Sequence, residues 1–493
     1  MEIIATAALM IVVAHLVLGL LLWLRVRKLY SYPGLLGFPV FGNLYYFYRT
    51  LFICTMDSME KHLIGIVDKY GKNGICFHCT FGYRTTVVIS SPEIVKEIGL
   101  HPNLSDKPTT MYGGFTTYMV GPLTSARADD AWKLRRKEYN AGLKKSQVSN
   151  AYHSTFVECA KKLVDLMLAS PSAVDAINKA IGVTHFAAMR NLFGISTNII
   201  YHPEFIYTMR NILNAGSLAA GNPIIATLFL TLMRPIDELF MRQVGKLRKV
   251  VWEEIDRARI SELLPNAELP VLIQIASRSL KYGGKKWRKD TMSELHELFF
   301  TAAQTTTSTL SSAITFLAVL PDIQEIAWQE QQTIFGNDNR DPSMDDLEQM
   351  QFLDRVIKET IRFTSPSFVG RLATEDININ GITIPRGTSV IYLNRYMRMD
   401  PKYWKDPEVF DPDRFLEESE TLKYSYSPFG VGVRNCPGMF YATTQMKISL
   451  STILRRLKLR TAQKDFKFAD IKFISCLMTE IKNPPVLQVE ERV

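Results

Sequence analysis

Near its carboxyl end the chain reads Phe429-Gly430-Val431-Gly432-Val433-Arg434-Asn435-Cys436-Pro437-Gly438, and the helical pattern MFYATTQMKISLSTILRRL follows at once. These ten residues constrain the fold more than any other stretch. They set one cysteine at a helix start, where unpaired N–H groups and the positive end of the helix dipole favour thiolate over thiol, the form that binds a soft metal. Gly432 and Gly438 remove side chains where a flat macrocycle can approach the backbone, and Arg434 is placed to meet an anionic substituent. A cysteine taken alone is more often a small buried hydrophobe, so the neighbours carry the argument. A dinucleotide loop is the other reading of Gly430-x-Gly432. It fails because the sixth position is Asn435 and no strand–helix unit with a later acid fits.

At the other end Ile3–Leu24 runs 22 residues with His15 as the only strongly polar member. As a helix this stretch is about 33 Å long and spans a bilayer core. It ends in Trp23-Leu24 followed by Arg25, Arg27 and Lys28, not in the small residues of a cleavage site. The expectation is an uncleaved anchor with the chain beyond residue 28 on the cytosolic side. The organisation expected is therefore a transmembrane anchor (1–30), a proline-rich hinge (31–44) and a catalytic domain (45–493), held as a single-pass protein of the endoplasmic reticulum membrane. On that side the Asn103-Leu104-Ser105 sequon is an accident of sequence.

The chain has ample apolar material for a large core, with 47% hydrophobic residues among 493, and its six scattered cysteines point to a reducing compartment. A net charge of +9 without a long Lys/Arg block speaks against nucleic acid. Cys76-Phe77-His78-Cys79 invites a zinc reading, yet strand residues three apart face opposite ways and no second ligand pair follows. Strands are expected over 75–90 and as a tight hairpin around Asn380-Gly381. Long helices are expected over 290–320, 346–363 and 438–457. The apolar stretch from Asn222 to Pro235 reads as core more readily than as a membrane-dipping lip. One large, mainly α domain with small sheets is simpler than several domains.

With these residues in view, the chain resembles the cytochrome P450 superfamily, microsomal type. The haem signature Phe-x-x-Gly-x-Arg-x-Cys-x-Gly is met by Phe429, Gly432, Arg434, Cys436 and Gly438. Other landmarks follow in order: the proline-rich hinge, Trp132-x-x-x-Arg136, a Thr-bearing long helix, Glu359-x-x-Arg362, and Phe410-Asp411-Pro412-Asp413-Arg414-Phe415. The resemblance implies the mainly α (α+β) fold of that family and haem b, iron protoporphyrin IX, with Cys436 as axial iron ligand. It implies haem-propionate partners at Trp132, Arg136, Arg371 and Arg434, and a buried triad of Glu359, Arg362 and Arg414 bracing the loop that carries Cys436. In Phe300-Thr301-Ala302-Ala303-Gln304-Thr305 it puts Thr305 at the oxygen-activating position and Gln304 where the family has an acid. An amide cannot serve as the ionised carboxylate of a proton relay, although fungal hydroxylases of steroids and terpenoids are similarly relaxed here. Threonines in a helix also simply back-bond to the preceding turn.

What the resemblance implies about activity is a monooxygenase that hydroxylates a hydrophobic small molecule (steroid, terpenoid, polyketide or fatty acid) with O2. The 57 residues after Cys436 do not make a flavin domain, so electrons from NADPH are expected through a separate NADPH–cytochrome reductase, with cytochrome b5 as a further donor. The cations Lys133, Arg135, Arg136, Lys137, Lys144 and Lys145 make a docking surface for such a partner, and Ser105–Asp130 a loop over the substrate. Isomerase, dehydratase or desaturase chemistry on the same haem is the alternative that Gln304 motivates. A haem sensor or carrier without turnover is the reading from another class.

Overall fold

A computed structural model describes residues 2–27, 32–35, 56–71, 73–79, 85–108, 127–207, 209–210, 234–257, 270–282, 284–379, 381–417, 420–476 and 478–492. Its principal helices are α1 (Glu2–Val26), α2 (Met56–Tyr70), α3 (Pro92–Gly99), α4 (Asp130–Gly142), α5 (His153–Leu168), α6 (Ala176–Phe193), α7 (Arg234–Arg257), α8 (Val271–Tyr282), α9 (Trp287–Val319), α10 (Pro321–Phe335), α11 (Gln351–Thr364), α12 (Asn394–Met399) and α13 (Met439–Arg456). The strands are β1 (Gly34–Leu35), β2 (Ile75–Cys79), β3 (Thr85–Ile89), β4 (Val369–Leu372), β5 (Ile377–Ile379), β6 (Ile382–Ile384), β7 (Ser389–Tyr392), β8 (Leu457–Thr461), β9 (Phe473–Ser475), β10 (Thr479–Ile481) and β11 (Leu487–Glu491). Helix dominates, with small sheets beside it; the helices expected over 290–320 and 438–457 are present within a few residues, whereas the one expected over 346–363 is divided at Met350 into Met344–Gln349 and α11.

α9 is the axis of the molecule. Pro321, at the first turn of α10, ends its run because proline has no N–H to give the preceding turn. α6 packs along α9 and is buried on nearly every side, as an all-round apolar helix must be. The Thr184 and Thr307 hydroxyls meet at 2.5 Å across that contact. α5 packs on α13, with the Phe156 and Tyr441 rings 4.9 Å apart. α11, whose buried face carries Phe352, Val356, Ile357 and Phe363, closes the other side of α9.

The largest sheet runs β1-β2-β3-β7-β4. Its register pairs Arg371 of β4 with Val390 of β7, which fixes where that arginine stands. β5 and β6 form the expected hairpin, Ile377 opposite Ile384 and Ile379 opposite Ile382, with Gly381 at φ +77° in the turn. Within the expected hinge, Tyr32–Leu35 is docked and not free: Tyr32 stacks on Phe77, and the Pro33 carbonyl accepts from Phe77 N–H at 3.1 Å. Any β-carbon at Gly34 would fall 2.0 Å from the Phe77 carbonyl oxygen, so this edge strand requires glycine. The rest of the hinge, the loop residues Met111 to Tyr118 and most of the 222–235 stretch lie outside the described residues.

α1 is a single helix with exposed apolar side chains, among them Leu9, Val13, Val17, Leu20 and Leu21, while Trp23 is half-buried. Among the described residues no single helix is long and apolar enough to cross a membrane, the apolar part of α1 being Val12–Leu21.

Candidate functional site

The Cys436 loop is shaped by two left-handed residues, Gly430 (φ +74°) and Gly432 (φ +69°). Together they fold the backbone so that Cys436 N–H donates to the Phe429 carbonyl at 2.7 Å. The reason for Gly432 differs from the expectation. It does not line the cavity, and its β-carbon would lie 2.4 Å from the Gly99 carbonyl oxygen, so it lets the loop press on the end of α3 and not on a macrocycle. Gly438 does line the cavity, and a β-carbon there would sit 3.9 Å from Cys436 Sγ. Cys436 precedes α13 by three residues and opens on to the cavity while protein surrounds it at longer range. Burial pushes its thiol up, whereas the Gly438 N–H and the Arg136 charge pull it back toward thiolate.

That cavity holds roughly 310 Å³, the low end of the usual range for small-molecule sites. Phe429, Cys436 and Gly438 line one side and α9 the other. Cations gather at its edge. The Asp129 carboxylate caps α4 by accepting from Trp132 N–H at 2.8 Å, and Trp132 supports the Arg434 guanidinium 4.0 Å above its ring. Arg434 Nε donates to the Ser105 carbonyl at 2.6 Å, and Arg136 donates to both the carbonyl (2.7 Å) and the side-chain oxygen (2.6 Å) of Asn435. Arg371 reaches the same cavity from β4. The structure thus brings together all four expected partners and adds Lys107, which no spacing in the sequence marks.

The cations press on one another. Burial, then Arg371, then Arg136 act to hold Arg434 down to about 10, against Asp106 and Glu297. Burial, Arg371 and Arg434 hold Lys107 well below the usual lysine value. Arg136, Arg371 and Arg434 outnumber the carboxylates Asp106 and Glu297 beside them, so this edge of the cavity favours an anion. A flat, apolar dianion with one soft-metal centre satisfies this donor set: two carboxylates for the cations, a thiolate for the metal.

The α9 wall is formed by Glu297, Leu298, Thr301, Ala302, Thr305, Thr306 and Thr309. Thr305 Oγ1 donates to the Thr301 carbonyl at 2.9 Å, the back-bonding expected of a helical threonine. Gln304 is not part of this wall. It is buried in the protein beside the lining residues, and its Oε1 finds no hydrogen-bond partner among the described residues. Thr306, beside Thr305, lines the cavity instead, a residue that the sequence reading passed over.

Glu359 and Arg362 are fully buried on α11 and joined by two hydrogen bonds of 2.8 Å. The Glu359 carboxylate also accepts from Arg414 Nε and from Asp411 N–H, each at 3.0 Å. Arg362 spans to the Arg398 and Pro407 carbonyls, both 2.9 Å. From Arg414 the path continues through Phe415, whose ring lies 5.0 Å from that of Tyr426, to the loop starting at Ser427.

The cationic run is less uniform than its sequence. Arg135 turns inward to buried Glu294 at 2.9 Å, in a network with Arg278 and Glu138 that joins α4, α8 and α9. Arg136 belongs to the cavity. Lys133, Lys137, Lys144 and Lys145 remain exposed, Lys133 beside Asp130 and Lys145 beside Glu348.

A family model described as Cytochrome P450 matches residues 33–485. Cytochrome P450 4c21 of Blattella germanica is 27% identical over 478 residues, covering 90% of this chain and 91% of the relative. Cytochrome P450 3A7 of Homo sapiens is 25% identical over 486 residues, 93% of this chain and 91% of that one. Cytochrome P450 3A5 of Homo sapiens is 34% identical over 195 residues, 39% of this chain and 38% of the relative.

Proposed function

The chain belongs to the cytochrome P450 family, and from that premise we propose that it hydroxylates an apolar small molecule held above haem b, with Cys436 as the iron's protein ligand. The family makes it a haem-thiolate monooxygenase that works with O2, a substrate and a redox partner. The observation that carries the assignment of residues is the cavity: one cysteine on its floor, a ring of cations with Trp132 at its edge, and a threonine-bearing helix opposite. Haem b, when bound, supplies the iron at which dioxygen is reduced and split, a step that thiolate ligation favours.

The protein's own groups have separable tasks in this reading. Arg136, Arg371, Arg434 and Trp132, joined by Lys107, hold the two propionates. Phe429 and Gly438 shape the bed on either side of Cys436. Glu359, Arg362 and Arg414 hold the segment that leads into the ligand loop. Thr305 passes protons into the cavity through water, and the buried Gln304 amide acts only by packing behind it. Leu298, Ala302, Val369 and Met478 exclude water from the reacting C–H bond and favour an apolar substrate, such as a steroid, terpenoid, polyketide or fatty acid.

Electrons from NADPH come through a separate flavin-bearing NADPH–cytochrome reductase, or through cytochrome b5, docking on the face that exposes Lys137 and Lys144. The apolar run Ile3–Leu24, longer than the described apolar part of α1, anchors the protein in the endoplasmic reticulum membrane, with the catalytic domain to the cytosol as the basic residues after it favour. The test is product analysis under labelled dioxygen, with membranes containing the protein, reductase and NADPH and a panel of steroids, terpenoids and fatty acids. One labelled oxygen per product supports hydroxylation. Product without label moves the reading to isomerase, dehydratase or desaturase chemistry, which the lack of a carboxylate at residues 304 and 305 favours as the second choice.

A further inference from the structure

Among the described residues lining the cavity, Glu297 is the single carboxylate. It is buried at the head of a polar stripe on an otherwise apolar wall. Thr301, Thr305 and Thr309 follow at intervals of four residues, and all line the cavity. Their hydroxyls donate to the carbonyls of Glu297 (2.8 Å), Thr301 (2.9 Å) and Thr305 (3.1 Å). Each hydroxyl rests on the backbone and its oxygen keeps lone pairs that accept from water, and turning the O–H from the carbonyl to a water lets it hand a proton on. Eight residues of helix separate Glu297 from Thr305, about 12 Å along the axis, a gap of the size that two or three water molecules would bridge between hydroxyls spaced about 6 Å apart.

Among the groups that face Glu297 from neighbouring elements are Tyr139 of α4 and Arg434 of the ligand loop, both of which feel its charge and both of which line the cavity. Behind them stand Glu294, Arg278, Arg135 and Glu138, and beside Arg434 stand Arg371, Arg136 and Asp106. This setting of cations with one buried carboxylate keeps a proton carrier within the cavity although residues 304 and 305 hold no acid.

We propose that Glu297 is the proton-supplying residue of this site, taking protons from solvent and passing them through water along Thr301 and Thr305. The inference rests on the monooxygenase reading. Its balance is R–H plus O2 plus two electrons plus two protons, giving R–OH and water. The electrons come from the redox partner, and every proton Glu297 releases is replaced from solvent. When protons arrive late, the same two electrons and two protons leave with dioxygen as hydrogen peroxide.

The experiment compares wild type, Glu297→Gln and Glu297→Asp as haem-loaded full chains with reductase. An unchanged thiolate-type spectrum of the reduced carbon-monoxide complex shows that each variant is folded and loaded. Expected for Glu297→Gln are a product rate lower by about tenfold or more, a larger share of electrons in peroxide and a larger solvent deuterium isotope effect, with partial rescue in Glu297→Asp. Infrared spectra of the resting holoprotein across pH give a readout apart from turnover: a carboxyl band that titrates in wild type and is missing in Glu297→Gln. A Glu297→Gln protein with wild-type coupling and isotope effect, or with the full set of carboxyl bands, overturns the inference and leaves Glu297 as a counter-charge for Arg434. Absence of labelled product from wild type sinks the underlying reading instead.

Discussion

Replacing Glu359 by Gln keeps the shape of the side chain and removes one charge from the buried triad. In the native protein its two oxygens accept from Arg362 twice, from Arg414 and from the Asp411 amide, and neither Glu359 nor Arg362 meets solvent. A glutamine offers one carbonyl oxygen to these four donors and sets an NH2 against the rest. Two guanidinium groups then lie in the interior without a counter-charge. Breaking a buried pair in this way costs about 3–5 kcal/mol, a large part of the roughly 5–15 kcal/mol that holds most domains together. For a chain of this size the unfolding entropy is near 1 kcal/mol per degree, so the global midpoint moves by only about 4 °C. The sharper signal is local. Arg414 ties α11 to the carbonyls of Lys405 and Val409, and Phe415 and Tyr426 carry that order to the loop where Cys436 N–H meets Phe429. Faster amide exchange over 405–438 and earlier loss of the thiolate-type spectrum in urea are therefore expected in Glu359→Gln, before helix content falls. A variant with the same exchange pattern and a urea midpoint within 1 kcal/mol of wild type would refute the reasoning, because the two arginines would then have found other compensation.

Gly432→Ala should lose haem retention while keeping helix content, since its φ of +69° is costly for alanine and the new methyl would lie 2.4 Å from the Gly99 carbonyl oxygen; unchanged haem titration would refute this. Lys137→Glu with Lys144→Glu should slow reduction by the reductase several-fold at low salt and little at high salt, whereas equal stopped-flow rates at both would remove this face from partner docking. Glu480 is held up to about 7 from an ordinary 4.5, first by burial and against the pull of Arg210, so the native state binds the extra proton between those values. Stability should fall as pH rises through that window and then level off, and Glu480→Gln should flatten the profile; identical profiles in urea melts would show that Glu480 titrates normally.

What could be read in advance was what depends on local pattern. The bounds of α9 and α13, the end of α11, the β5–β6 hairpin and the meeting of Glu359 with Arg362 follow from periodicity, turn residues and a three-residue spacing on one helix face, whereas the break at Met350 that starts α11 does not. The cavity residues Trp132, Arg136, Arg434 and Cys436 were legible because short motifs hold them. Arg371 needed the β4–β7 register, and Lys107 and Glu297 needed the tertiary fold, since a lone lysine in a loop and a glutamate in a helix look like solvated charges in sequence. Arg135 misled for the mirror reason. It sits in a run of exposed cations, yet α8 and α9 bring Arg278 and Glu294 against it and turn it into a buried partner.

The Gln304 and Thr305 pair shows why adjacency in a helix is a poor guide to shared chemistry. Residues 297, 298, 301, 302, 305, 306 and 309 of α9 line the cavity, whereas Gln304, seven residues on from Glu297 and so close to it around the helix, falls just outside that arc. Gln304 is buried at the edge of the lining arc, with an Oε1 that has no partner among the described residues. Removing an unsatisfied buried carbonyl is neutral or favourable by about 1 kcal/mol when shape is kept. Gln304→Met is accordingly expected to hold or raise the urea midpoint and to leave the partition of electrons between product and peroxide unchanged. Thr305→Ala, one residue on, should send more electrons to peroxide with the midpoint little altered. If Gln304→Met uncouples the enzyme as strongly as Thr305→Ala does, the amide reaches the cavity after all, and the proton path must be redrawn through it and not through the stripe from Glu297 to Thr305.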